Sequence, residues 1–289
     1  MMKKWGSDSF LPQSLGWGSL ARGQLILSLS LASAFASSTM PGLTQEEEDI
    51  KNLITRYKTA VEANPSNPQT RKRLGSAYLM SGNLDGAAIE FKQAIKLNAS
   101  DGEAYVGLAR VQMRKSDFKE AERTLRSGVK MQPNDADLHY KLGQVCSRMD
   151  QTDQAINEFR QAIKLNPQNA VAHRDLGAML GLNKDVDGEL AEEKKALDLK
   201  PDDGDALYYI GSAYAAKGDM KEAAANLQKC VDIDPKNAEA FRLLAGIHVA
   251  QNEFPQAIKC AEEMCKLEPG NKTAKQTLEQ IKDVAKHHK

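Results

Sequence analysis

The chain has no apolar run long enough to cross a bilayer as a helix. Its most apolar stretch, LILSLSLASAFA at residues 25–36, falls short of the roughly twenty residues a span requires. Charge of one sign is missing too: 39 Lys and Arg residues face 39 Asp and Glu residues. No global field would hold such a protein on nucleic acid or an anionic membrane, so recognition by charge has to be local. There is no long Lys/Arg run and no paired aromatic platform beyond Tyr208 and Tyr209, which leaves single-stranded nucleic acid a remote third alternative. The motifs HExxH, GxSxG, GxxxxGKS/T and GxGxxG do not occur, and no Cys stands at metal-ligand spacing from His139 or His173. These gaps argue against enzyme activity and imply no catalytic residue, metal or cofactor. Cysteine is sparse as well. Of Cys146, Cys230, Cys260 and Cys265, the last two lie on different sides of one helix; a bridge between Cys230 and Cys260 is conceivable, with small buried thiols the simpler reading.

Residues 1–42 differ from the remainder. Lys3, Lys4 and Arg22 precede the apolar run, and AFA at 34–36 fits the small-x-small pattern of a signal-peptidase site. The segment reads as a leader removed after Ala36, which sends the protein to a periplasmic or extracellular location without later membrane insertion. The alternative is a transit-like or disordered leader on a cytoplasmic or organellar protein. No Cys follows the run to carry a lipid anchor.

What the chain does have is a repeat. FKQAIKLN at 91–98 returns as FRQAIKLN at 159–166, an offset of twice 34 residues. Units starting at Pro68, Gly102, Ala136, Ala170, Gly204 and Ala238 tile 68–271 without insertion or deletion. Their eighth positions are all small: Gly75, Ala109, Gly143, Gly177, Gly211 and Ala245. That pattern suits two helices approaching too closely for a larger side chain. The seventh positions, Leu74, Leu108, Leu142, Leu176, Ile210 and Leu244, fill the layer beside them. At position twenty stand Ala87, Ala121, Ala155, Glu189, Ala223 and Ala257, the expected small partners of the crossing, with unit four the exception. Each first helix is predicted to end near Gly82, Ser116, Asp150, Lys184, Gly218 or Asn252, and most second helices stop at a proline such as Pro133 or Pro167. Ahead of the units, 43–67 forms a capping half repeat with an apolar stripe from Ile50 to Val61. Behind them, 272–289 forms a capping helix with Ala274, Leu278, Ile281 and Ala285 on one side. Neither helix of a unit is long enough to be stable alone.

On the Leu-Gly pairs at 74–75, 142–143 and 176–177, the YxxxG rhythm at Tyr78–Gly82 and Tyr214–Gly218, and QAINEFRQAIKLNP at 154–167, the chain resembles the tetratricopeptide repeat (TPR) family over residues 46–289. The resemblance implies an all-α, right-handed superhelical solenoid of antiparallel helix pairs. Glu189 and Glu193 in unit four, and Gln112, Cys146 and Leu180 in place of an aromatic, depart from the pattern and suggest a looser or bent middle.

The resemblance also implies that positions two, five, six, nine, twelve and thirteen of each first helix line a concave groove. Here that groove would hold Lys72, Arg73, Arg110, Arg114, Tyr140, Lys141, Gln144, Arg148, Arg174, Tyr208, Tyr209, Ser212 and Arg242. This is a mildly basic, Tyr-bearing face interrupted by Glu103, Asp137, Asp175, Asp205 and Glu239. It suits a protein or peptide partner carrying acidic groups. Family members that clamp a cytosolic chaperone's carboxyl terminus use a Lys and an Asn, then an Asn, then a Lys and an Arg. Lys72 matches, but Ser76, Gly107 and Asp137 do not. The leading reading is therefore a non-enzymatic scaffold or adaptor, in assembly of an exported or envelope complex. The runner-up is a structural module that self-associates into homo-oligomers. A pocket for a small molecule would be sought at Glu189 and Glu193, and full exposure of both would remove that thought.

Overall fold

The computed structural model describes residues 44–287; the leader, its cleavage after Ala36, and the last two residues lie outside them. Fourteen α-helices and no strands occur among the described residues. An Asn or Asp stands before the first helix of every unit. Asn67, Asp101, Asp135, Asn169, Asp203 and Asn237 precede α2 (Pro68–Met80), α4 (Gly102–Arg114), α6 (Ala136–Arg148), α8 (Ala170–Leu182), α10 (Gly204–Ala216) and α12 (Ala238–Ala250). Each side chain accepts a hydrogen bond from a backbone N–H two or three residues on. Such a cap stabilises a helix by about 1 kcal/mol, so the start of each unit is fixed locally before any packing acts.

The turn inside each unit is equally regular. Gly82, Ser116, Asp150, Lys184, Gly218 and Asn252 all have positive φ, between 57° and 83°. Ser116 and Lys184 have no intrinsic taste for that conformation. They adopt it because the closing bonds, Asp117 N–H to the Gln112 carbonyl and Asp185 N–H to the Leu180 carbonyl, both 2.9 Å, satisfy the end of the first helix. The chain then enters the second helices: α3 (Leu84–Leu97), α5 (Phe118–Met131), α7 (Thr152–Leu165), α9 (Val186–Leu199), α11 (Met220–Ile233) and α13 (Phe254–Leu267). Each packs on its own first helix and on the next unit's, which makes a solenoid of antiparallel pairs.

A side-chain tie recurs at the turn between units. Arg71 donates from Nε to the Pro65 carbonyl at 2.7 Å and pairs with Glu90 at 2.9 Å. His139 and His173 take the same place. Their Nε2 atoms lie 3.1 Å from the Pro133 and Pro167 carbonyls, and their Nδ1 atoms 2.7 and 2.6 Å from Glu158 and Glu192. Both histidines are buried structural residues.

What fills the space over the small eighth residue is the side chain at position twenty-four, not the alanine at position twenty. A Cβ at Gly75 would stand 3.2 Å from the Phe91 ring, at Gly143 2.7 Å from Phe159, and at Gly211 2.6 Å from Leu227. In unit five the position-twenty backbone also presses in, the Ala223 carbonyl lying 3.2 Å from that point. Phe91, Phe159 and Leu227 are accordingly among the most buried large side chains. Among the described residues the core falls into four clusters. The two larger ones run from Tyr105 to Leu180 and from Leu207 to Ile281, with Leu190, Ile210 and Ala213 forming a small group between them and Leu79, Ala87, Phe91, Leu108 and Val111 another at the amino-terminal end.

Within unit four α8 and α9 pack as closely as the helices of the other units. The amino-terminal cap is the slacker element. The stripe of α1 (Gln45–Ala63) is half-buried, and no residue of that helix is fully buried. At the other end, α14 (Lys272–His287) buries Ala274 and Ile281.

Two glycine substitutions should separate packing from propensity. Gly143→Ala forces a methyl group into the Phe159 ring and should cost about 1–3 kcal/mol. Gly246→Ala meets nothing within 4 Å and should stabilise by up to about 1 kcal/mol through helix propensity. Denaturant unfolding of both variants checks the pair; equal signs would remove the steric account.

Candidate functional site

The first helices carry all thirteen residues expected in the groove, but they do not form a free basic surface. On α2, Lys72 is held by Asp101 at 2.9 Å and Glu103 at 2.6 Å. Burial opposes its charge, yet the hydrogen bonds to Glu103 and Asp101 outweigh that and raise its pKa. Arg114 donates to the Leu79 carbonyl at 2.7 Å, closing the end of the neighbouring first helix. Arg242 pairs with Glu239 at 2.5 Å within α12.

On α6 and α8 the polar groups make a continuous chain. Lys141 donates to Gln144 at 3.2 Å and lies 4.9 Å from the Tyr140 ring centre. Gln144 donates to the Tyr140 hydroxyl at 2.7 Å, and that hydroxyl donates to Asp175 at 2.9 Å. Arg174 then reaches Asp175 and Asp203, each at 3.4 Å, and Asp205 at 3.3 Å. Burial opposes its charge, and three carboxylates more than compensate. Burial pushes the Asp175 carboxyl up despite Arg174 and Tyr140, and it pushes the Tyr140 hydroxyl up as well. The helices α6 and α8 adjoin less closely than the other neighbouring first helices, and this chain of bonds spans them.

Two expected groove residues are corrected by this geometry. Tyr140 is only 7% exposed because its ring packs against Phe159, centroids 5.8 Å apart, while Ser212 is 4% exposed beneath its own helix's packing layer. Neither offers surface to a partner. The mildly basic character is also largely cancelled, because carboxylates engage Lys72, Arg174 and Arg242. Tyr208 and Tyr209 remain half-exposed, rings 5.4 Å apart and edge-on. Arg114 and Lys141 bond uncharged groups, while Arg73 and Arg110, both exposed, and the half-buried Arg148 make neither an ion pair nor a side-chain hydrogen bond.

Sequence reasoning missed the aspartates that neutralise the face. Asp101 and Asp203 each cap a helix and also grip a cation 29 residues earlier, Lys72 and Arg174. An acidic cap with Lys or Arg 29 residues upstream is the signal that would have found them. All four cysteines are free thiols, and burial pushes Cys230 up to about 12. No cluster of metal-ligating side chains occurs among the described residues, and none of their helices is long and apolar enough to cross a membrane.

Repeated helix pairs in one register, with a first-helix face left over for recognition, define a tetratricopeptide repeat protein. Residues 27–280 match the family described as the cilia and flagella-associated protein 70 C-terminal domain, and the chain belongs to that family. Among solved structures it is similar to YrrB, a TPR protein with an unusual peptide-binding site. The identity is 25%, over 65% of this chain and 96% of that one, with a TM-score of 0.56. MamA is similar at 26% identity over 57% of this chain and 97% of its own, TM-score 0.53. Pseudomonas aeruginosa PilF, at 16% identity over 75% and 97% with a TM-score of 0.65, shows the fold alone. No curated protein matches. The chain is in general terms a protein-interaction scaffold, of a fold whose members are typically non-catalytic.

Tyr140→Phe should destabilise the fold by about 1–3 kcal/mol, since it removes a buried hydroxyl that donates to Asp175 and accepts from Gln144. Thermal unfolding with a Tyr140→Phe, Asp175→Asn cycle measures the coupling; strictly additive effects would show that the bond carries nothing.

Proposed function

We propose that the chain is a non-enzymatic adaptor that holds an acidic segment of a partner protein across the first three units of its groove. The observation that supports this is the residue of unspent charge. Arg73, Arg110 and Arg148 occupy positions six, nine and thirteen of successive first helices, so each stands about one helical turn further along than the last. They make an oblique row. Arg110 also acts on the neighbouring unit's Asp137 and Lys141, which places it at the junction of α4 and α6. Guanidinium forks match carboxylates in pairs, and an extended segment crossing the helices obliquely would meet the three in turn.

An exposed Arg–carboxylate pair is worth about 0.2–1 kcal/mol, so reversing three such charges should weaken binding by roughly tenfold or more. Quantitative pull-down with Arg73→Glu, Arg110→Glu and Arg148→Glu combined, against Arg160→Glu on the exposed side of α7, tests the row. A partner set unchanged by the triple variant, with its fold intact, would sink the proposal.

The finer reading, assembly of an exported or envelope complex, draws on the leader-like segment at 25–36. Sequencing the amino terminus of the protein from its native cell decides it. A start at Ser37 supports export with cleavage after Ala36, and a start at the initiator region overturns it.

A further inference from the structure

Unit four contains the least expected group in the molecule. Glu193 stands at position twenty-four, where the other units have Phe91, Leu125, Phe159, Leu227 and Ala261. It is 0% exposed, and neither carboxyl oxygen has a hydrogen-bond partner. One turn earlier on α9 is Glu189, also buried. Opposite them, one turn apart on α8, are Gly177 and Gly181. A Cβ at Gly177 would stand 2.7 Å from Glu193 Oε1, and a Cβ at Gly181 would run into the Glu189 carboxyl. The two glycines leave the room that the two carboxyl groups fill.

The surroundings set one shared cation against three acidic groups around Glu193. The elements packed against α9 are α8 and α10. From α8 come Arg174 and Asp175, from the cap of α10 comes Asp203, and from α9 itself comes Glu189. Arg174 is the one cation in that set and is already shared among Asp175, Asp203 and Asp205. Glu192, the next residue, faces His173 and Lys195 instead. Burial, then the Glu189 charge, holds Glu193 well above the usual carboxylate range. The place matters because α9 lies where the hydrophobic core divides, between the cluster that ends at Leu180 and the one that begins at Leu207.

We propose that unit four is a proton-sensitive joint: uncharged Glu193 keeps α9 seated on the glycine face of α8, and loss of its proton unseats α9 and frees the two halves of the solenoid. The folded unit binds one proton more than the opened one. Closure is therefore fully stable below the ordinary glutamate value near 4.5 and weakens as pH rises from there toward the raised folded value. Across that window the opening constant should rise by up to about tenfold per pH unit, the limit for one proton released.

Hydrogen exchange of the full chain from pH 5 to 8, corrected for intrinsic rates, reads this directly. Peptides from α8 and α9 should open progressively with pH relative to those from α6 and α7. Glu193→Gln, isosteric and uncharged, and Glu193→Leu, which copies units two and five, should both flatten the slope. A parallel slope in both regions, or a slope that survives both substitutions, overturns the joint. Infrared spectroscopy of the unmodified protein gives a second reading without any variant. A carboxylic-acid carbonyl stretch should persist at neutral pH, and its absence would equally overturn the proposal.

Discussion

The contact on which the rest of this molecule depends is the approach of one helix to a residue without a side chain. In units one, three and five, Gly75, Gly143 and Gly211 receive the side chains of Phe91, Phe159 and Leu227 at distances that leave no space for even a methyl group. That proximity brings the two helices of a pair together and buries the largest apolar side chains they have. A pair so formed still has an apolar flank, which only the next pair can cover, and the repetition follows from that need. The caps and left-handed turns set where each helix starts and stops. They orient the contact but could not replace it, since helices of 13 or 14 residues are marginal alone.

Much of this was legible because it is periodic. The helices α2, α4, α6, α8, α10 and α12 begin at the residues where the repeat places a new unit. The register also identified the left-handed positions at Ser116 and Lys184, which residue type alone would not have done. Partners were less legible than positions. Position twenty looked like the complement of position eight because both are small, whereas the space is filled from position twenty-four; smallness at position twenty permits close approach of the backbone. The groove was misread for a related reason. Its cations could be counted in the sequence, but their neutralisation depends on aspartates 29 residues away whose evident role was to cap the following helix. Burial of Tyr140 likewise depends on where Phe159 comes to rest.

The electrostatics of the two halves follow from the same economy. A scaffold with equal numbers of positive and negative side chains can remain soluble and still present a charged site only if some charges find no mate. Across α2 to α10 the mates are supplied by residues the fold already requires at helix starts, so pairing costs no additional position. Lys72 and Arg174 are absorbed in this way and brace adjoining units. Arg73, Arg110 and Arg148 have no capping aspartate to pair with, and Arg110 acts on Asp137 without an ion pair.

Unit four shows the reverse case, a charge-bearing group placed where the fold wants a ring. Replacing a buried ionisable group with an apolar one of similar size is generally neutral or stabilising, so packing alone does not account for Glu193. Nor does chance relaxation of the position, because Gly181, where the other units carry Leu79, Met113, Ser147, Ala215 and Val249, leaves the room that the Glu189 carboxyl fills. In the other units position twenty-four holds an apolar side chain. Here, between its two larger clusters, the solenoid is held by a carboxyl group whose fit depends on its remaining uncharged, and the Tyr140–Asp175–Arg174 chain joins the facing helix α8 to α6. A change in α8 would therefore reach α6, the helix that carries Arg148, through the Tyr140–Asp175 bond.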